Sequence, residues 1–247
     1  MKKLLTAAIL AGLLLPTALW AQSRDCYVYK TDGSRQKGQK IEVSNAQGDI
    51  VLHIDGRLKV PFKRNAYRYV TTPRPRELDQ LDQLMEQEKY QEVVKNAPAL
   101  FEAYKFLGWG DYLIGVECEA RIALKQIDEA KKLLSRANAF AGANTDMLYR
   151  AQLLLMIEDK QYDKTEEILN RMITSRRDKD AAFAFNMRGQ LYLAQGQKKQ
   201  AVLEYLKTLL VFDNKKAPKE RAEAKRQAVA IMKELKDPRV GKIEALD

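Results

Sequence analysis

The sequence predicts a mainly helical α+β protein, with a small N-terminal antiparallel β meander or barrel followed by an array of α-α hairpins. Three observations carry this. Short runs rich in Val, Ile and Tyr, divided by Gly-containing turns, are confined to the stretch before Thr72. Beyond Pro75, apolar residues recur at helical spacing almost without interruption. A small or β-branched residue also follows the start of each second helix by three positions. These residues are Val93, Ala130, Thr165 and Ala201, at intervals of 37, 35 and 36 residues. Regular recurrence on that scale is the mark of a stacked repeat.

The chain opens with Lys2 and Lys3, an apolar run from Leu4 to Leu15, Pro16, and a stretch ending Ala21-Gln22-Ser23. A positive start, a short apolar middle and small residues near a cut site predict a secretory signal peptide over 1–23. The run is shorter than the roughly 20 apolar residues of a permanent span. Cleavage after Ala21 and after Ser23 both remain open. No small-residue lipoprotein pattern precedes Cys26, so a lipid anchor is not expected. The mature chain is expected to be periplasmic or secreted, with no transmembrane span.

Residues 24–72 read as a small basic β module. Candidate strands are Cys26–Lys30, Gln39–Ser44, Ile50–Ile54, Leu58–Phe62 and Tyr67–Val70. Asp32-Gly33 and Gly48-Asp49 mark loops, and Asp55-Gly56 marks a tight hairpin, because glycine tolerates the positive φ such turns need. Pro61 cannot donate to a ladder and suggests an edge. From Arg24 to Arg76 there are 12 Lys/Arg against 5 Asp/Glu, whereas from Glu77 onward the two nearly balance at 29 and 28. The excess positive charge therefore belongs to this first module. So few residues bury little apolar surface alone, so one face is expected to pack on the first helices.

Residues 73–76 form a Pro-rich connector, since Thr72-Pro73-Arg74-Pro75 disfavours both helix and central strand. About four helical hairpins are expected over 77–214. In the last, Ala182, Phe185, Gly189 and Tyr192 share one helical face, as do Ala201, Tyr205, Thr208 and Phe212. Small residues at Gly189 and Ala201 would let the paired helices approach closely. Pro98 is expected to split the second helix of the first hairpin. Asp111, after Gly108-Trp109-Gly110, is placed to cap the next helix, and Trp109 to staple that junction. Residues 215–247 are expected to be a capping helix, with a tail from Asp237.

Phe185, Gly189, Tyr192, Ala201 and Tyr205 resemble the tetratricopeptide repeat, and the likeness covers about two thirds of the chain. It departs at Cys118 and Leu153, which occupy the small position, and in lacking the proline that usually closes each unit. A β module with a Lys30-Thr31-Asp32-Gly33 turn before such repeats is also similar to a layout of exported bacterial proteins. The resemblance implies an exported protein-protein interaction scaffold that uses the concave face of its array. Its inward positions carry over to Tyr112 and Glu119, to Arg150 and Glu158, and to Asn186 and Gln190. They imply a grip on an extended or helical segment of another envelope or secreted protein.

No enzymatic role and no cofactor are expected. His53 is the only histidine and reads as an outward strand residue. One His and two distant Cys do not make a zinc site, which needs about four ligands. Carboxylate pairs such as Glu117/Glu119 and Glu166/Glu167 read as helix-surface charge. No Gly-rich phosphate loop, nucleophile elbow or HExxH stretch is present. Cys26 and Cys118 are able to pair in an oxidising compartment; the plain alternative is two small buried residues. The second functional reading is polyanion binding by the β module through Lys37, Lys40, Arg57, Lys59, Lys63, Arg64 and Arg68. Lys30 and Arg35 lie in the same set, and Tyr27, Tyr29, Tyr67 and Tyr69 are interleaved with it. Anionic lipid headgroups or polysaccharide would be the partners, with the array as spacer. Export argues against nucleic acid. The plain alternative is a solvated basic surface with the tyrosines in the module core.

Overall fold

The computed structural model describes residues 25–140, 142, 145–175 and 177–246, so the expected leader at 1–23 lies outside the described residues. Six short strands come first: β1 (Cys26–Lys30), β2 (Arg35–Gly38), β3 (Lys40–Val43), β4 (Ile50–His53), β5 (Lys59–Phe62) and β6 (Tyr67–Thr71). They form two three-stranded antiparallel sheets, ordered β2-β1-β6 and β3-β4-β5. Strand β2 was not foreseen. Arg35-Gln36-Lys37-Gly38 has no apolar alternation and is defined by pairing, with Arg35 opposite Tyr29 and Lys37 opposite Tyr27.

The two sheets close on one core through period-two alternation. Cys26, Val28, Ile41, Ile50, Leu52, Phe62, Tyr67 and Val70 all point inward. The sheets meet at the corner between β2 and β3. There the Gln39 amide donates to the His53 carbonyl at 2.7 Å. A Cβ on Gly38 would stand 2.6 Å from that same oxygen, so only glycine fits.

Ten helices follow: α1 (Arg76–Glu86), α2 (Tyr90–Tyr104), α3 (Gly110–Ala123), α4 (Ile127–Ser135), α5 (Asp146–Glu158), α6 (Tyr162–Ile173), α7 (Asp178–Ala194), α8 (Lys198–Val211), α9 (Pro218–Glu234) and α10 (Val240–Glu244). They pair as hairpins through one repeated joint. Each odd-numbered helix ends at a residue with left-handed backbone: Glu88 (φ 57°), Lys125 (61°), Lys160 (56°), Gly196 (75°) and Lys236 (54°). The residue after each donates to the carbonyl five positions back. These bonds are Lys89 to Leu84, Gln126 to Arg121, Gln161 to Met156, Gln197 to Tyr192 and Asp237 to Met232, all 2.8–2.9 Å. This is the Schellman arrangement, which satisfies carbonyls left open at a helix end. It recurs five times, so α9 and α10 form a further, short hairpin where a cap and loose tail were expected. Val240, Ile243 and Leu246 pack on the core shared by α8 and α9.

Val93, Ala130, Thr165 and Ala201 are each fully buried where the second helix meets the first. Successive hairpins share interiors. One core runs from Leu78 and Leu81 through Phe101 and Leu113 to Leu148 and Ala151, and a second joins Leu153, Leu169, Met187 and Leu191. At Gly115 helices α3 and α5 touch backbone to backbone, since a Cβ there would lie 2.3 Å from the Met147 carbonyl carbon. Pro98 does not split its helix: α2 runs unbroken through it. Proline removes one backbone donor, but Val93, Ala97 and Phe101 anchor the same helix in the core on both sides of that position.

The module is docked on the array by the turn Lys105–Trp109. Gly108, at φ 88°, lies against β6 so closely that a Cβ would stand 2.3 Å from the Val70 carbonyl oxygen. Thr72 Oγ1 donates to the Leu107 carbonyl at 2.7 Å and accepts from Trp109 Nε1 at 3.1 Å. Trp109 thus staples this junction. Arg64 Nη2 reaches from the module to the Ala139 carbonyl at 3.1 Å. No described helix is long and apolar enough to cross a membrane.

Candidate binding surfaces

Helix α5 packs against α3 and α7, and α7 against α9, and a charged brace joins α3, α5 and α9. Arg150 on α5 donates from Nε to both Glu119 oxygens on α3 at 3.0 Å. Its Nη1 and Nη2 donate to Glu223 on α9 at 3.1 and 2.6 Å. The three side chains are only 12%, 17% and 18% exposed. Burial works against the Arg150 charge, but Glu119 and Glu223 outweigh it and raise the guanidinium pKa above its ordinary value. Charge-assisted, forked bonds of this kind fix geometry as well as adding energy.

The six positions carried over from the repeat resemblance fall into different environments. Glu119 and Arg150 meet in the brace. Tyr112 is buried, and its hydroxyl bonds Asp82 on α1 while accepting from Arg74 Nη2 at 3.0 Å. Burial, then the Asp82 charge, raises its phenol pKa. Arg74 also bonds Asp79 and Asp82 and lies over the Trp109 and Tyr112 rings. The connector is therefore tied to α1 and α3 by charge. Asn186 is buried, donating to the Glu220 carbonyl at 2.8 Å and accepting from Thr208 Oγ1 at 2.8 Å. Glu158 accepts from Lys125 at the hairpin turn, 2.9 Å away. Gln190 alone of the six is partly open to solvent without a partner among the described residues.

Sequence reasoning read Glu223 and Arg226 as part of a solvated capping helix and Tyr90 as the opening of a second helix, and gave none of them a place in the site. Tyr90 is half-buried and Arg226 exposed. Burial raises the Tyr90 phenol pKa, Glu88 and Glu119 push the same way, and Arg226 and Arg150 oppose them. Those influences place the start of α2 within electrostatic reach of α9 across the brace. Nothing in the sequence distinguishes Glu223 from other acids on a charged helix, because its partner Arg150 lies 73 residues away.

Asp111 does not cap α3 in the expected way. It sits inside the first turn, fully buried, and its carboxylate accepts from the amides of Tyr112 at 2.9 Å and Gly142 at 3.2 Å. It therefore ties the segment after α4 to the start of α3.

On the β module, the predicted cations divide into committed and uncommitted. Lys37 pairs with Asp25, Lys40 with Glu42 and Lys63 with Asp49. Arg64 donates to the carbonyls of Tyr67 and Ala139. Arg57, Lys59 and Arg68 are exposed and form no ion pair among the described residues. His53 contacts Glu42 at 3.0 Å. Tyr67 separates from the other tyrosines: it is buried, and its hydroxyl donates to the Gly48 carbonyl. Tyr27, Tyr29 and Tyr69 stand half-buried on the opposite, outer face of β1 and β6.

No disulfide joins Cys26 and Cys118. They belong to separate cores, and their sulfurs approach different carbonyls, Gln39 at 3.6 Å and Ala130 at 3.3 Å. Burial pushes the Cys118 thiol up to about 12. No family model, curated protein or solved structure matches this chain.

Proposed function

We propose that this chain is an exported, non-catalytic interaction scaffold of the tetratricopeptide type, acting in the periplasm or outside the cell. The observation that carries the reading is the left-handed joint repeated at five hairpin turns, with α5 packed against α3 and α7, and α7 against α9. Such stacks bind by surface complementarity along one wall. The brace occupies part of this surface, and the grip we assign is Gln190 on α7 and Arg226 on α9, with Tyr90 at the start of α2. The partner is another envelope or secreted protein, held without covalent chemistry. The test is co-purification from envelope extract with the full chain, reading partners by mass spectrometry. A protein partner should be retained by the wild type and by Arg57→Glu/Lys59→Glu, and lost with Gln190→Arg/Arg226→Glu. Retention by the wall variant would refute the reading.

A second reading is favoured by Arg57, Lys59 and Arg68, exposed cations that form no ion pair among the described residues. In it the β module holds a polyanion and the array is a spacer.

A further inference from the structure

We infer that the outer face of the first sheet is a tyrosine ridge that binds an acidic polysaccharide. This deepens the reading of the β module as a polyanion binder and rests on it.

The ridge follows from strand register. Tyr29 on β1 lies directly opposite Tyr69 on β6, and Arg35 on β2 lies opposite Tyr29 on the other side. The Tyr29 and Tyr69 rings stack with centroids 4.4 Å apart at 21°. Tyr27 stands 6.5 Å from Tyr29, and the Arg35 guanidinium lies over the Tyr27 ring at 5.1 Å. None of the three rings belongs to the module core, whose residues from these two strands are Cys26, Val28, Tyr67 and Val70. The three rings therefore share the outer face of β1 and β6, with Arg35 of β2 beside them.

Cations flank it at both ends. Arg35 closes the β2 end. At the β6 end Tyr69 lines a cleft between the module and the array, together with Arg64, Arg68, Lys105 and Phe106. Arg68 is exposed and forms no ion pair among the described residues. A chain laid across the sheet would meet positive charge, aromatic rings and then positive charge again.

The ring geometry selects among polyanions. Base stacking requires a free aromatic face. Here Tyr29 and Tyr69 turn faces toward each other, and a Tyr27 face is covered by Arg35. One face of each ring is thus occupied, and each ring also carries a phenolic hydroxyl, both donor and acceptor. That suits a polymer rich in hydroxyl groups, whose carboxylates fall to the flanking Arg side chains. Uronate chains have this chemistry, whereas single-stranded nucleic acid would depend on the remaining ring faces.

The experiment measures binding of the full chain to polygalacturonate, to neutral dextran and to an oligothymidylate. Expected is binding to polygalacturonate that weakens with salt, none to dextran, and weaker binding to the oligonucleotide. Arg35→Gln/Arg68→Gln should weaken polygalacturonate binding about tenfold, the scale of lost charge-assisted bonds. Tyr69→Phe keeps the stacked ring and removes only its hydroxyl, so it should weaken binding about threefold while leaving the melting temperature in place. If polygalacturonate binding survives Arg35→Gln/Arg68→Gln but is lost with Arg57→Gln/Lys59→Gln, the ridge is wrong and the polyanion reading stands. If neither polymer binds, both fall. If the oligonucleotide binds as tightly as polygalacturonate, the assignment to polysaccharide fails.

Discussion

Arg150 and Glu223 are 73 residues apart in sequence and 2.6 Å apart in space. The contact spans two hairpins and holds α5 to the short last pair. Removing one member of a buried ion cluster leaves the others uncompensated, which is usually worse than never having had them. Arg150→Ala should therefore cost about 3 kcal/mol, leaving Glu119 and Glu223 facing each other. Adding Glu119→Gln and Glu223→Gln should recover a large part of that loss. Urea unfolding of the four proteins measures it. An Arg150→Ala protein as stable as the wild type would show that the brace carries no load.

The hairpin joints allow a stabilising change. At Lys160 the backbone is left-handed (φ 56°) and the side chain exposed. A residue with a Cβ is strained there by about 1 kcal/mol relative to glycine. Lys160→Gly should raise stability by about 0.5–1 kcal/mol even after the greater flexibility of the unfolded chain is counted. Gly196 already occupies the equivalent place in the next hairpin, so Gly196→Lys should do the reverse. Thermal melts of both variants would expose an error in the assigned joint.

Gly108→Ala tests the docking of the β module. The new Cβ would sit 2.3 Å from a main-chain oxygen on a backbone of φ 88°, so neither neighbour nor torsion can yield cheaply. About 2–4 kcal/mol should be lost, combining strain with overpacking. Limited proteolysis should then cut the connector near Arg74 faster than in the wild type. Unchanged cleavage would mean that the junction does not depend on this approach.

The Tyr205 hydroxyl is buried against Gly189 and, among the described residues, has no hydrogen-bond partner. Burial raises its phenol pKa, and the Glu223 charge adds to this. Tyr205→Phe removes a desolvated polar group and keeps the ring, so stability should hold or rise by up to about 1 kcal/mol. A loss beyond about 1 kcal/mol would reveal an ordered water serving that hydroxyl.

Burial, followed by the Glu117 charge, raises the Cys118 thiol to about 12 from its ordinary 9.0. The folded protein thus holds this proton longer than the unfolded chain does. The resulting stability is fully present below pH 9.0 and is lost as pH rises through about 12. At pH 8 the native thiol should resist iodoacetamide and react once the chain is unfolded. Non-reducing electrophoresis of folded protein should show no internal bridge. Rapid native alkylation of Cys118 would contradict the placement.

How much could be read in advance depended on how far each interaction reaches along the chain. Val93, Ala130, Thr165 and Ala201 announce the hairpins because each signal lies within a single helical turn. Strand β2 was invisible because Arg35 to Gly38 has no pattern of its own and takes its conformation from Tyr27 and Tyr29 across the ladder. The tyrosines were noticed as a group, but only register divides inward Tyr67 from outward Tyr27, Tyr29 and Tyr69. Tyr112 and Asn186 were assigned to an open wall on motif spacing. Their burial depends on Arg74 and on α9, which converge only when the whole stack curves. Pro98 misled for the opposite reason, since a local preference was overridden by the side chains anchored around it.

At Gly108 the sheet and the helical stack meet main chain to main chain, with no cushion of side chains between them. A joint of this type transmits a tilt instead of absorbing it, since at the Gly108 contact itself there is no side chain whose rotamer could change. A load applied to the strands is therefore delivered to the start of α3, and the spacing between the tyrosine row and the helical wall is set as if both were machined into one part.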